Sequence, residues 1–373
     1  CLERKAALSV TAVTATYYSV PSHLRSFATQ NKKTQTLYLS LSCILVGMLV
    51  IGQVLLLLLF SFGLIKSTEL IVAAIRKMVR RSKVGGFGVT AFILALATSL
   101  PELVVGITAS IEGLPQVVLG NVLGSNIANV SLVIGGAAIA GGKLRVAGET
   151  LKRDLYLVFG VAVLPLLLIA DSTLSRADGV VLLIVYVLFV TTVLKKHTRA
   201  IGKHVMEESP VKRLFLAVAK RGGRGDLVRF LLGVVGLLLS SHMIVQLSEM
   251  IALGLGLPIL IIGLFLVAIG TSLPELVFEM KAVVSGQIGM VWGDLLGSVV
   301  ANATLVLGLS SVIAPMKLNG TGLAPYSLAI GSFVMLYSLF VYFARSKSRL
   351  ERWEGVVLLL LYFGFVVLEL GRV

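Results

Sequence analysis

Long runs of apolar residues dominate this chain, and short polar or basic stretches separate them. Windows of roughly twenty residues, the length that an α-helix needs to cross a bilayer, predict ten membrane spans. The segment 66–82 is less apolar because Lys66 and Glu69 interrupt it, and we interpret it either as a tilted extension of the first span or as an interfacial helix. The spans are predicted near residues 43–65, 85–111, 115–141, 155–171, 178–195, 229–254, 257–284, 288–314, 324–344 and 354–371.

The composition favours an all-α polytopic membrane protein over a soluble enzyme. Of the 373 residues, 57% are hydrophobic and 14% are charged, whereas soluble domains carry about 25% charged residues. The two cysteines, Cys1 and Cys43, define neither a disulfide framework nor a metal cluster.

Basic residues concentrate in alternate connections, after the first, third, fifth and ninth spans. The opposite connections and the C-terminus hold only Arg176, Lys317 and Arg372. The positive-inside rule predicts that the basic connections are cytoplasmic and that the C-terminus is outside. The net charge of +15 is therefore interpreted as a topology signal with a possible contribution to lipid contact, and no nucleic-acid partner is expected.

The chain divides into four segments on this basis. Residues 1–40 are interpreted as a tail, either a targeting segment, an over-extended start or a disordered stretch. Residues 41–200 and 229–373 form two halves of five spans each, and residues 201–228 form a basic cytoplasmic loop between them.

A repeated block relates the two halves. The segment 98–104, Thr-Ser-Leu-Pro-Glu-Leu-Val, recurs without change at 271–277, and the offset of 173 positions holds without a gap for about forty residues. With an odd number of spans per half, the second copy enters the membrane inverted, which is the architecture of many secondary transporters. The glycine pairs of the repeats, Gly120 with Gly124 and Gly293 with Gly297, predict close helix packing.

Each copy of the block places a glutamate directly after a proline. Pro101 and Pro274 cannot donate a backbone hydrogen bond, so they are expected to break their helices near the midplane and to free carbonyl groups one turn earlier. Glu102 and Glu275 follow, and a carboxylate within the bilayer indicates an ion pathway because burying it is costly. The alternative is a protonated glutamate that is satisfied by a hydrogen bond between helices.

Polar stripes with helical spacing follow each glutamate. Ligands of this kind, carboxylate, amide, hydroxyl and carbonyl oxygens without nearby His or Cys, suit Ca2+ or Na+. Interhelical hydrogen bonding, or helix capping by the hydroxyl groups, is the alternative. The stripes consist of Asn121, Ser125 and Asn129 in the first repeat and of Asp294, Ser298 and Asn302 in the second. The hydroxyl groups that precede the prolines belong to Thr98, Ser99, Thr271 and Ser272.

These repeats and the ten-span plan resemble the cation/Ca2+ exchanger superfamily, especially its prokaryotic sodium/calcium exchanger branch. The resemblance covers nearly all of the chain after residue 40. It implies two inverted five-helix repeats and alternating access, in which the first and sixth spans slide across a fixed core.

The resemblance also implies roles for single residues. Glu102 and Glu275 would be the central Ca2+ ligands shared with Na+, and Thr98 and Thr271 would offer backbone carbonyls to Ca2+. The residues that would line flanking Na+ sites are Ser99, Ser125, Ser272 and Ser298, with Asn129 and Asn302 near the centre.

The second repeat departs from the family pattern. Asp294 stands where Asn is usual, and the position that is commonly Ser four residues after the glutamate holds Gly106 in one repeat and Glu279 in the other. One hypothesis is that Glu279, Lys281 and Asp294 form a compensating cluster lining the cytoplasmic passage and modify ion choice. The alternative is that Lys281 snorkels to the interface and that Glu279 pairs with it or with another nearby cation.

We therefore expect a secondary antiporter that exchanges Ca2+ for Na+ across a cell membrane without a cofactor. A Ca2+ antiporter coupled to H+ is the main alternative; the serines of the repeats favour Na+, whereas Glu279 and Asp294 favour H+. K+ is less expected because Asn302 stands where K+-dependent relatives carry an acid, and a channel is less expected than an exchanger. An enzyme is disfavoured because no nucleophile–base pair accompanies the glutamates.

Overall fold

The computed structural model describes residues 32–82, 98–146, 148–201, 224–318 and 323–372. Most of the predicted tail, the start of the second span and most of the basic loop lie outside the described residues. Within the described ranges the protein consists of helices and four short strands, which confirms the all-α prediction.

The first half supplies five spans. Helix α1 (Lys32–Ser82) is continuous through residue 82, so the segment 66–82 extends the first span. The helix begins within the segment 1–40 that was predicted as a tail. The elements of the first half are α1 (Lys32–Ser82), α2 (Leu100–Ile111), α3 (Pro115–Ala128), a π-helical segment (Asn129–Val133), α4 (Ile134–Gly141), β1 (Lys143–Arg145), α5 (Gly148–Leu168), a 3-10 turn (Ile169–Asp171), β2 (Thr173–Leu174) and α6 (Arg176–Ile201).

The second half repeats this order. Its third span, like that of the first half, is α-helical at both ends and π-helical in the middle. Its elements are α7 (Arg224–Leu255), α8 (Ile259–Ile262), a π-helical segment (Gly263–Val267), α9 (Ala268–Val284), α10 (Ile288–Val300), a π-helical segment (Ala301–Val306), α11 (Leu307–Ile313), β3 (Met316–Lys317), a 3-10 turn (Ala324–Tyr326), α12 (Ser327–Ser346), β4 (Arg349–Glu351) and α13 (Arg352–Gly371).

Local sequence explains where several spans begin. Pro101 and Pro115 lie in the first turns of α2 and α3, where a missing N–H costs nothing. Ser175 precedes α6, and its hydroxyl donates to the Asp178 carboxylate at 2.7 Å while accepting from the Asp178 N–H. Glu351 forms a capping box before α13, so the last span of each half starts with a side-chain cap.

Burial separates central from peripheral spans. Eight helical stretches within the described residues are long and apolar enough to cross a membrane, and the described part of the second span, α2, is a shorter apolar helix. In the apolar window of the third span 94% of residues are buried, against 17% in the first span. The third span therefore lies at the centre of the protein, and the first presents its apolar surface outward, as lipid contact requires.

Two short ribbons join the halves and show the inverted arrangement. Strand β1, between the third and fourth spans, pairs with β4, between the ninth and tenth. Strand β2, between the fourth and fifth spans, pairs with β3, between the eighth and ninth. Because α5 crosses the protein between β1 and β2, the ribbons lie on opposite faces, which we call the basic face (β1 and β4) and the opposite face (β2 and β3).

Basic side chains lie at the ribbon of the basic face. Arg145 and Arg349 pair across the ribbon, and Trp292 at the start of the eighth span donates its indole N–H to the carbonyl of Arg145 at 2.9 Å. Hydrogen bonds from Trp353 and Lys347 lower the pKa of Glu351 to about 2. This carboxylate therefore stays ionised well below neutral pH and holds basic side chains at the ribbon.

Glycines bring helix backbones into contact at the centre. A Cβ on Gly124 would lie 2.1 Å from the carbonyl oxygen of Leu264, and one on Gly120 would lie 2.8 Å from that of Leu260. The predicted close packing is thus confirmed for the first repeat. At Gly293 the described atoms leave open space.

The first and sixth spans pack against each other by a reciprocal contact. Gly63 of α1 faces the hydroxyl of Ser240 on α7, while Gly236 of α7 faces that of Ser67 on α1. Both pairs obey the offset of 173, so the repeat extends into these spans although its sequence signal there is weak.

Candidate cation site

All twelve predicted site residues lie in the centre of the protein and are buried, each less than 5% exposed. The start of α2 and helix α3 supply those of the first repeat, and helices α9 and α10 supply those of the second, with one asparagine of each repeat in the following π-helical segment. They are Thr98, Ser99, Glu102, Asn121, Ser125 and Asn129, together with Thr271, Ser272, Glu275, Asp294, Ser298 and Asn302.

Hydrogen bonds between the repeats tie these residues together in a symmetric way. The hydroxyl of Thr98 donates to Oδ1 of Asp294 at 2.8 Å. The equivalent hydroxyl of Thr271 donates to Oδ1 of Asn121 at 3.0 Å. Each threonine therefore bridges the start of one glutamate-bearing helix to the polar stripe of the other repeat.

Further contacts between the repeats are not symmetric. The hydroxyl of Ser99 donates to that of Ser298 at 3.1 Å, and Ser125 contacts Thr271 at 3.3 Å. Asn302 donates its amide to Oδ1 of Asn126 at 3.2 Å. Sequence reasoning missed Asn126, because its counterpart at the repeat offset is a valine and repeat comparison passes over it.

Many buried polar atoms of the site have no hydrogen-bond partner among the described residues. Leaving a buried acceptor unpaired costs about 1–3 kcal/mol, so a cluster of them requires a physical explanation, and a cation bound by these oxygens is one. The acceptor atoms are both carboxylate oxygens of Glu102 and Glu275, Oδ2 of Asp294, Oε2 of Glu279, the amide oxygens of Asn129 and Asn302, and the Ser272 hydroxyl.

The acidic residues crowd one another. The charge of Glu275 is close enough to those of Glu102, Asp294 and Glu279 for repulsion. Within the described residues, no three or more His, Cys, Asp or Glu side chains form a group that could hold a metal ion. A cation at this site would therefore need the neutral hydroxyl, amide and carbonyl oxygens as well as the carboxylates.

The helix interruptions differ between the repeats. Helix α2 begins at Leu100, directly before Pro101, as expected for a break at the proline. Helix α9 continues through Pro274, and the irregular stretch of that span is instead the π-helical segment just before it. The π-helical segments of the third and eighth spans contain Asn129 and Asn302, and such segments are frequent at functional sites.

The proposed cluster of Glu279, Lys281 and Asp294 does not form. Lys281 is exposed, whereas Glu279 and Asp294 are 1% and 2% exposed. No ion pair joins Glu279 to Lys281 in the part of the chain that the structure describes. An exposed lysine near the basic end of α9 fits the snorkelling interpretation, but the two acids remain in the interior without it.

Comparison with known proteins identifies the family. Residues 52–195 and 226–371 match the family described as sodium/calcium exchanger protein. The chain belongs to this family. The exchanger is therefore an integral membrane protein of the antiporter type.

Relatives and a solved structure cover most of the exchanger. It is 31% identical to the putative antiporter CaxA of Alkalimonas amylolytica over 81% of its own length and 93% of that protein. It is 29% identical to the sodium/calcium exchanger MaX1 of Methanosarcina acetivorans, over 84% and 97% of the two chains. Its structure matches the sodium-calcium exchanger NCX_Mj with a TM-score of 0.57 and 28% identity, over 86% and 98% of the chains. The predicted family and inverted-repeat fold are thus confirmed.

Proposed function

We propose that this exchanger moves Ca2+ across a cell membrane in exchange for Na+, using the paired carboxylates of Glu102 and Glu275. One observation supports this most directly: both carboxylates are buried, and none of their four oxygens has a well-aligned hydrogen-bond donor among the described residues. The names of the relatives MaX1 and NCX_Mj agree with these ions.

The chemistry follows from charge and ligand number. Ca2+ takes roughly 6–8 oxygen ligands, and two carboxylates balance its charge in a medium of low dielectric constant. Neutral oxygens from Thr98, Thr271 and the asparagine side chains of the polar stripes complete the shell, and the serines hold Na+. When Ca2+ leaves, the two anions attract monovalent cations, so Ca2+ and Na+ occupy the site alternately.

Alternate occupancy becomes transport when the site opens to one face at a time. Helices α1 and α7 contact each other through Gly63, Ser67, Gly236 and Ser240 and expose large apolar side chains. They are the spans that we propose to slide as a pair across the central helices. By the positive-inside rule, the basic face is cytoplasmic and the C-terminus is outside.

Ca2+ uptake into proteoliposomes, driven by an outward Na+ gradient or by an outward H+ gradient, tests this proposal. Uptake driven by Na+ is expected in the unmodified exchanger and is abolished by Glu102→Gln and by Glu275→Gln. Glu69→Gln is the control, because this glutamate is exposed on α1 and pairs with Lys66. Uptake driven only by the H+ gradient would identify H+ as the coupling ion instead of Na+. The additional buried acids Glu279 and Asp294 would explain that outcome. Unchanged uptake in both glutamate variants would contradict the proposed site.

A further inference from the structure

Two buried acids of the second repeat have no acidic counterpart in the first. At the repeat offset, Glu279 corresponds to Gly106 and Asp294 corresponds to Asn121. Both acids are at least 98% buried. The central site therefore has additional negative charge on one side only.

The direction of the helices shows which side this is. Glu279 follows Glu275 by one turn on α9, and Asp294 precedes Ser298 by one turn on α10. Helix α9 ends at Val284 and α10 begins four residues later, at the basic face, so each acid lies roughly 7–9 Å along its helix from that end. Both acids thus lie between the central carboxylates and the basic face.

The two acids lie close to each other, and one oxygen of each lacks a donor. Helices α9 and α10 pack together, and the two carboxylates are close enough for their charges to repel. Oδ1 of Asp294 accepts the Thr98 hydroxyl, but Oδ2 and Oε2 of Glu279 have no hydrogen-bond partner among the described residues. The nearest lysine along α9, Lys281, is exposed.

Charge balance indicates what these oxygens bind. A Ca2+ ion at Glu102 and Glu275 neutralises two of the four neighbouring carboxylates and leaves two negative charges buried. Uncompensated buried charge is strongly unfavourable, and either two protons or a second divalent cation removes it. Two carboxylates with a nearby hydroxyl are the hard oxygen ligands that such a cation prefers.

We propose that Glu279 and Asp294 form a second divalent-cation subsite on the route between the central site and the basic face. This inference rests on the proposed function, because it requires Ca2+ at the central site. A Ca2+ ion entering from the basic face is held at Glu279 and Asp294 before it moves to Glu102 and Glu275. A following ion in the subsite repels the first ion onward, as in multi-ion channels. The opposite face offers only Gly106 and Asn121 at the equivalent positions, so the effect is one-sided.

Equilibrium binding of radioactive Ca2+ to the purified full-length exchanger in lipid nanodiscs tests the subsite. The unmodified protein is expected to bind two Ca2+ per chain, and the double variant Glu279→Gln with Asp294→Asn is expected to bind one. The substitutions keep side-chain size, and Asp294→Asn creates the side chain that the first repeat has at this position. Retained binding of one Ca2+ also shows that the double variant is folded. A second double variant, Glu102→Gln with Glu275→Gln, is expected to lose the Ca2+ of the central site. The two binding sites can therefore be measured separately.

Transport measured from each side adds a second test. The double variant is expected to raise the KM for Ca2+ at the basic face about tenfold and to leave the KM at the opposite face unchanged. Lys281→Met is the control and changes neither value. One Ca2+ per chain in the unmodified protein, two in the double variant, or equal KM changes at both faces would overturn the subsite while leaving the exchange proposal intact. Failure of the exchange proposal would give a different result: Ca2+ transport would be unchanged by Glu102→Gln and by Glu275→Gln.

Discussion

At the scale of single residues, acceptor oxygens outnumber donors in the centre of the exchanger. The threonine hydroxyls each donate to the opposite repeat, yet the carboxylates of Glu102 and Glu275 have no well-aligned donor among the described residues. An arrangement optimised for stability would pair these groups. This imbalance favours the proposal that the two glutamates are cation ligands over the alternative that the sequence leaves open, in which a hydrogen bond between helices satisfies them.

The serines of this centre are expected to determine the Na+ dependence. Ser298→Ala removes a buried oxygen that lies 3.1 Å from Ser99, and we expect the half-saturating Na+ concentration to rise about tenfold because one ligand is lost. The KM for Ca2+ should change less. Both values are measured by Ca2+ uptake at varied internal Na+.

A matched serine in the same span serves as the control. Ser311 is equally buried, but its hydroxyl donates to the carbonyl of Leu307 in its own helix. Ser311→Ala should leave the Na+ dependence unchanged. If both variants shifted it equally, Ser298 would act through packing and not as a ligand.

At the scale of secondary-structure elements, backbone contact between the third and seventh spans positions the site. Gly120 and Gly124 of α3 lie against the backbone of α8 and the following π-helical segment. This contact brings the polar stripe of one repeat beside Thr271 of the other, where Asn121 and Ser125 meet its hydroxyl. Loss of the contact should therefore loosen both the fold and the site.

Gly124→Ala is expected to lower the melting temperature of the purified exchanger. The added Cβ would lie 2.1 Å from the Leu264 carbonyl oxygen, so the two spans must separate, at a cost of about 1–3 kcal/mol in unfolding free energy. Gly160→Ala on the exposed surface of α5 is the control, since nothing lies within 4 Å of its Cβ. That variant should be neutral or more stable, because alanine favours the helix. Equal effects of the two substitutions would contradict the proposed importance of the contact.

At the scale of the whole molecule, the two ribbons fix which connections share a face. The backbone N–H of Leu318 also donates to the carbonyl of Ser172 at 3.0 Å, which extends the β2 and β3 ribbon. On the other side, Trp292 attaches the start of the eighth span to β1. The ribbons define two faces but do not say which one is cytoplasmic.

Thiol labelling of intact cells is expected to resolve the orientation. In a protein with Cys1 and Cys43 replaced by Ser, Ser285→Cys on the basic face should resist a membrane-impermeant maleimide. Ala324→Cys on the opposite face should react with it. Both residues are exposed in the connections beside the ribbons, so accessibility differs only by side. The reverse pattern would place the basic face outside and invert the proposed orientation.

Much of this protein follows from the sequence. The sequence predicts the ten spans, the inverted repeat and the twelve central residues. Apolar length, charge asymmetry and exact repetition can all be read along the chain without knowledge of tertiary contacts. The repeat also identified both glutamates, since a membrane protein keeps a buried acid twice only under strong constraint.

Tertiary structure decided the features that depend on contacts between the halves. Pro274 alone predicts a break, but packing keeps α9 continuous and places the irregular stretch before it. Glu279 and Lys281 are near each other in sequence, yet the helix directs one inward and the other to the surface. Asn126 joins the site only because Asn302 faces it across the repeats. A sequence pattern sets what each helix can bury, whereas the partner helices determine which of its polar groups remain without a partner and are available for a cation.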